Sequence, residues 1–187
     1  MPAYAALLRG INLAGHNKVP MGELRTLCGE LGLGDVTTYI QSGNVVFSSV
    51  RTDSSALAGE LEGAIAGAFG FDVPVVLRSA VELEGIAASN PYVQGGRDPS
   101  ELSVGFLAEL PAPERVSALR ADPLASRPPG RDEFALLGRE VFLHHPNGYG
   151  RSKLTNSYFD RRLGTMMTVR NWRTVVTLGE MTQRLGR

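Results

Sequence analysis

Residues 7–21 read LLRGINLAGHNKVPM, and residues 41–44 read QSGN. Between them they hold the guanidinium of Arg9, the ammonium of Lys18, the amides of Asn12, Asn17, Gln41 and Asn44, and the hydroxyl of Ser42. Donors of this kind recognise an anion or a polar planar ligand. Gly10, Gly15 and Gly43 let backbone N–H groups turn outward beside them. A helix beginning after Pro20 would add the positive end of its dipole. The competing reading is that Asn and Gly are ordinary turn residues and that Arg9 is merely exposed.

A second polar group lies in HHPNGYGRSK (144–153) and TVRNW (168–172). It contributes Arg151, Ser152, Lys153, Arg170 and Asn171. GYGRSK resembles a phosphate loop but fits no phosphate motif: Lys153 stands where the dinucleotide fingerprint needs a third glycine, and the G-x-x-x-x-G-K-[ST] spacing is missing. What remains is a set of basic groups and glycines ahead of a helix, compatible with an anion.

Catalytic templates find little support. The histidines are His16, His144 and His145. The last two are adjacent, so in a strand they point to opposite faces and would not chelate one metal. HExxH, CxxC and G-x-S-x-G are absent from the sequence, and with them the metal and nucleophile-elbow chemistry that they signal. Ser42 has no evident His partner, and Ser152 and Lys153, as helix neighbours, do not face each other. No metal site is expected, no cofactor is indicated, and the question of an enzymatic activity stays open.

These groups need a frame to bring them together. Residues 4–9 read as a strand. A helix follows Pro20, with Met21, Leu24, Leu27, Cys28 and Leu31 on one face. VTTYIQ (36–41) and VVFS (45–48) form a hairpin around SGN. Ser54 or Ser55 is expected to cap a helix whose face is Leu57, Leu61, Ile65 and Phe69. VPVVLR (73–78) reads as a strand, at an edge because of Pro74, and a short helix follows over 80–88. This β-α-β-β-α-β order is the ferredoxin-like unit. SNPYVQGGRDPS (89–100) reads as a linker.

The order then repeats. LSVGFLAE (102–109) is a strand, and Pro113 opens a helix. EFALLGREVFLH (133–144) is a hairpin around Gly138, Ser152 is expected to open a helix, and TMMTVR (165–170) is a strand. Asn171 caps a last helix. The expected fold is α+β: two ferredoxin-like halves, 1–90 and 97–187, with antiparallel sheets and helices packed on one face. In such a unit the first and third strands lie side by side and antiparallel, so RGIN is placed beside QSGN. Gly59, Gly63 and Gly67 recur every four residues opposite the leucine face. They suggest a close-contact surface between halves or in a homodimer, or else a tolerated bare surface.

The chain has 187 residues, 43% of them hydrophobic, enough to bury a core. Lys+Arg and Asp+Glu both number 19, which argues against a duplex-DNA binder with its basic excess. An RNA-recognition surface would need stacking aromatics on the first and third strands, where only Tyr4 and Phe47 occur. Cys28 is the single cysteine, so there is no disulfide framework. A signal-like N-terminus and a run near 20 apolar residues are both missing from the sequence, so a cytoplasmic protein with no membrane partner is expected.

Together, LLRGINLAGHNKVPM, TYIQSGNVVF, SNPY, GYGRSKL and TVRNWRTV resemble the bacterial domain-of-unknown-function 1697 family. The resemblance implies an α+β fold of two ferredoxin-like halves. It implies no activity, substrate or cofactor. The matching positions are Arg9, Gly10, Asn12, Asn17, Gln41, Ser42, Gly43, Asn44, Ser152, Lys153, Arg170, Asn171 and Trp172. NLAGHNK departs from the family at residues 13–15 but keeps Asn12, Gly15 and Asn17. The leading expectation is a protein that binds a small anionic or nucleotide-like ligand through these loops. The alternative is a nucleic-acid-binding or protein-interaction module without catalysis.

Overall fold

The computed structural model describes residues 1–126 and 129–186. The chain runs β1 (Ala3–Leu8), α1 (Met21–Glu30), β2 (Gly34–Tyr39), β3 (Asn44–Ser48), α2 (Ser54–Phe69), β4 (Val75–Ser79), α3 (Ala80–Ser89) and α4 (Pro91–Gln94). It continues with β5 (Leu102–Leu107), α5 (Pro113–Arg120), α6 (Pro123–Ser126), β6 (Glu133–Leu137), β7 (Glu140–His144), α7 (Asn156–Leu163), β8 (Met167–Asn171) and α8 (Trp172–Leu185). Two antiparallel four-stranded sheets result, ordered β2-β3-β1-β4 and β6-β7-β5-β8. The fold is α+β with two similar halves, an arrangement consistent with ferredoxin-like units. One compact unit comprises Met1–Gly85 with the C-terminal stretch from Val176, and the other Ile86–Val175.

In the first unit β1 sits between β3 and β4 and all six of its residues are buried. Tyr4, Ala6 and Leu8 face α1 and α2, where they join Leu24 and Cys28 from α1 and Leu57, Leu61 and Ile65 from α2. Each such leucine contributes about 1.5–3 kcal/mol when fully buried, so this face fixes both helices on the sheet. The cap of α2 differs from expectation. Asp53, not a serine, accepts from the amides of Ser55 and Ala56, both at 3.0 Å. A carboxylate combines the side-chain acceptor with the negative charge favoured at a helix start. The faces of Gly59, Gly63 and Gly67 are open: a Cβ added at any of them meets no atom within 4 Å.

Cys28 is fully buried in this core, and burial pushes its thiol up to about 11. The thiolate is the reactive form. A thiol reagent at pH 8 is therefore expected to label the unfolded chain rapidly and the folded chain at least a hundredfold more slowly, read by mass spectrometry. Labelling at equal rates would show that α1 does not seal this position.

In the second unit β5 lies between β7 and β8. Leu107, Val141, Leu143 and Met167 pack against Tyr158, Phe159 and Leu163 of α7. Two expectations change here. The stretch expected as a linker contains α4, capped by Asn90, whose Oδ1 accepts from the Tyr92 amide at 3.0 Å. Ser152 does not open α7; Thr155 caps it, because the Ser152 Oγ already accepts from the Leu154 amide at 2.9 Å. Asn171 does cap α8, accepting from the Thr174 amide at 2.8 Å, and Trp172 is buried.

No helix among the described residues is long and apolar enough to cross a membrane.

Candidate functional site

The β1–β3 register pairs Leu7 with Asn44, and the Leu8 amide donates to the Gly43 carbonyl at 2.8 Å. The loop after β1 and the turn between β2 and β3 therefore share one end of the sheet. Asn12 joins them. Its Nδ2 donates to the Gln41 carbonyl at 2.8 Å and to the Val19 carbonyl at 3.1 Å. Its Oδ1 accepts from the Val19 amide at 2.9 Å. One side chain thus ties the loop's start, its end and the neighbouring turn.

The rest of the loop is a miniature hairpin. The Asn12 amide donates to Asn17 O at 3.0 Å, and the His16 amide to Leu13 O at 2.8 Å. Asn17 Nδ2 returns to the Gly10 carbonyl at 3.1 Å. Asn44 is fully buried, and its Nδ2 donates to Tyr39 O and to Ser42 Oγ at 3.1 and 3.0 Å. Asn12, Asn17, Ser42 and Asn44 are all spent on building the loop pair.

Lys18 and Gln41 stand apart from these. Both side chains are exposed. With Asn12, Gly15, Val19 and Pro20 they line a cleft of about 400 Å³. The start of α1 adjoins it: Pro20 occupies the cap position and its side chain makes no capping hydrogen bond, and the first amides of a helix have no intrahelical acceptor. Arg9 is half-buried next to Gly10, its own amide held by Pro74 O at 2.9 Å. A larger cleft of about 520 Å³ lies between α1 and α2, but Glu23 and Glu30 line it, which disfavours an anion there.

Backbone conformation marks the same place. Asn12, Ala14, Asn17 and Ile40 have φ of 54°, 46°, 49° and 50°. Asparagine tolerates this left-handed region, whereas a β-branched residue there is an outlier. Strain of this sort, about 1–3 kcal/mol per residue, persists only where the surroundings enforce it, and it clusters at ligand sites. Ile40 and Ala14 carry no sequence signal for this geometry; the paired asparagines do.

The second polar group is arranged differently. β7 and β8 flank β5 and end at the same end of the sheet, with Leu102 opposite His144 and Ser103 opposite Asn171. Lys153 is exposed and Ser152 buried. Arg170 is only 8% exposed; its Nη1 donates to Thr168 Oγ1 and to Val169 O, both at 2.9 Å. Burial pushes its guanidinium down to about 10, so it stays charged at neutral pH. Ser152, Arg170 and Asn171 each serve their own strand or helix end.

The adjacent histidines engage different carboxylates. His144 lies between Glu101 (Nε2 at 2.9 Å) and Glu133 (Nδ1 at 3.1 Å). His145 Nδ1 is 3.5 Å from Asp132 Oδ2, and burial lowers its pKa. Among the described residues no group of three or more His, Cys, Asp or Glu is placed to hold a metal ion.

The family model for proteins of unknown function (DUF1697) matches residues 1–142, three quarters of the chain. The chain belongs to the DUF1697 family. Both halves of the cleft, residues 9–20 and 40–44, fall inside the DUF1697 match; GYGRSKL and TVRNWRTV fall beyond it. The DUF1697 chain is also similar to a solved structure, the conserved bacterial protein SP0830 from Streptococcus pneumoniae. The two share 28% identity and a TM-score of 0.76, over 97% of this chain and 98% of that one. No curated protein matches this DUF1697 chain.

Proposed function

We propose that this protein binds a small anionic, nucleotide-like ligand in the cleft between the loop after β1 and the β2–β3 turn. The supporting observation is a division of labour. Asn12, Asn17, Ser42 and Asn44 build the cleft, while Lys18 and Gln41 line it with an ammonium and an amide that have no side-chain partner among the described residues. An ammonium supplies charge, an amide supplies both a donor and an acceptor, and the uncapped start of α1 favours negative charge nearby. Arg9 is the second cation of this end of the sheet. The secondary group at Ser152, Lys153, Arg170 and Asn171 is not required by this reading.

Calorimetric titration of the whole chain with inorganic phosphate, AMP and a short single-stranded oligonucleotide tests it. Saturable binding of AMP is expected, weakened at least tenfold by Lys18→Glu, which reverses the charge at an exposed position. Absence of AMP binding, or equal affinity in Lys18→Glu, would refute the site. Binding of the oligonucleotide alone would favour the nucleic-acid module instead.

A further inference from the structure

The cleft of about 520 Å³ between α1 and α2 lies outside the site described above, and its chemistry is the opposite. Glu23 and Glu30 stand on its α1 side, seven residues apart. Seven residues make two turns of helix, so the two carboxylates share one face, about 10 Å apart along the axis. Leu27 sits between them on the same face, four residues after Glu23 and three before Glu30. Ala68 and Phe69, the last two residues of α2, line the other side. Leu27 and Phe69 are half-buried against the core of the first unit. Each therefore turns one side inward and leaves the other on the cleft.

Among the described residues no cation answers this charge. Neither Glu23 nor Glu30 has a side-chain partner there, and no Lys or Arg stands three or four places from either, where a helical ion pair would form. Arg25, the one cation of α1, is engaged with β2, its Nη1 donating to Thr38 Oγ1 at 2.8 Å. Both helices end without a basic residue in the last turn, so their negative dipole ends carry no compensating side chain. Glu30 goes further. It is the last residue of α1, where an acidic side chain opposes the dipole and a cation is favoured. A local rule broken without a compensating contact points to a functional demand rather than to the fold.

We propose that this cleft binds an elongated aliphatic polyamine, its terminal ammonium groups on Glu23 and Glu30 and its methylene chain over Leu27 and Phe69. Each feature of the cleft selects one property of that ligand. Two carboxylates two turns apart call for two cations joined by a spacer, whereas a compact metal ion reaches only one of them. The apolar strip between them calls for methylenes, whose removal from water is favourable in proportion to the area covered. The aromatic ring of Phe69 adds attraction for an ammonium passing near its face. The anion cleft is separate: its charged lining residue is Lys18, and the two linings share only Pro20. The two proposals therefore stand or fall independently.

Spermidine titrated into the full chain at neutral pH and low ionic strength, followed by calorimetry and by backbone amide NMR, is the test, with putrescine and magnesium chloride as comparators. Spermidine is expected to saturate a single site, with the largest shifts at Leu27, Glu30 and Phe69. Putrescine, too short to span both carboxylates, is expected to bind at least threefold more weakly. Glu23→Gln and Glu30→Gln, both at exposed positions, are each expected to weaken spermidine at least threefold, the scale of one exposed ion pair. The double variant is expected to abolish binding, while Glu84→Gln, an exposed carboxylate on α3, changes nothing. Absence of saturable spermidine binding overturns the proposal. So does undiminished affinity in the double variant. Putrescine or magnesium binding as tightly as spermidine overturns it too, since that would be a diffuse attraction to acidic surface.

Discussion

Gly43→Ala is expected to cost about 3 kcal/mol or more, the sum of a left-handed backbone and overpacking. Gly43 has φ 78°. A Cβ there would lie 2.7 Å from Leu8 Cβ and 2.8 Å from Ile11 Cδ1. The isoleucine methyl can rotate aside. Leu8 Cβ cannot, because it is attached to β1, an inner strand of the sheet, and the amide of Leu8 itself is the donor to Gly43 O. The strain therefore passes into the strand pair that aligns the loop with the turn. A shift in the chemical unfolding midpoint, followed by circular dichroism, measures it. A change under 1 kcal/mol would mean that the turn is free to move away from β1.

The second large effect is expected from Asn12→Ala. Val19 is 1% exposed, and its amide would lose the Asn12 Oδ1 acceptor; an orphaned buried donor costs about 1–3 kcal/mol. Alanine in the left-handed region adds about 1–2 kcal/mol. The total is about 3 kcal/mol. Asn12→Gly removes the backbone part and keeps the hydrogen-bond loss, so it is expected to recover about 1 kcal/mol relative to alanine. If both variants were equally stable, the φ of 54° would carry no strain. Both variants detach Gln41 from the loop, so both are also expected to lose ligand affinity by more than their stability loss explains at temperatures where the chain remains folded.

Much of the frame was legible in the chain. Two rounds of β-α-β-β-α-β can be read from apolar periodicity and turn residues, and the antiparallel pairing of first and third strands then places RGIN beside QSGN. The left-handed positions were half legible. Asn12, Asn17 and Gly43 are residue types that accept positive φ, whereas Ile40 is held there against its preference by the turn that Asn44 and Ser42 close.

Roles were harder to read than positions. Asn12, Asn17 and Asn44 have the chemistry of ligand donors, but their partners are backbone carbonyls of nearby loops, and a carbonyl leaves no mark in a sequence. Arg170 poses the same difficulty. The sequence shows a cation at a strand end; the fold buries it against the outward carbonyl of Val169, as it buries Arg78 against that of Leu77. This residue-level repeat between the halves emerges only once the register shows which carbonyls face outward. Ser152 and Thr155 are both competent helix caps, and the choice between them was made by the tight turn at Tyr149–Arg151, which engages Ser152 first.

The central claim is that the cleft beside Lys18 receives an anion. It is tested most directly by titrating AMP into the isotopically labelled chain and following every backbone amide by NMR. The expected result is a single saturating process, with the largest shifts at Gly15, Lys18, Met21, Gly22 and Gln41. Shifts centred instead on Gly148–Lys153, or spread evenly over the surface without saturation, would contradict it.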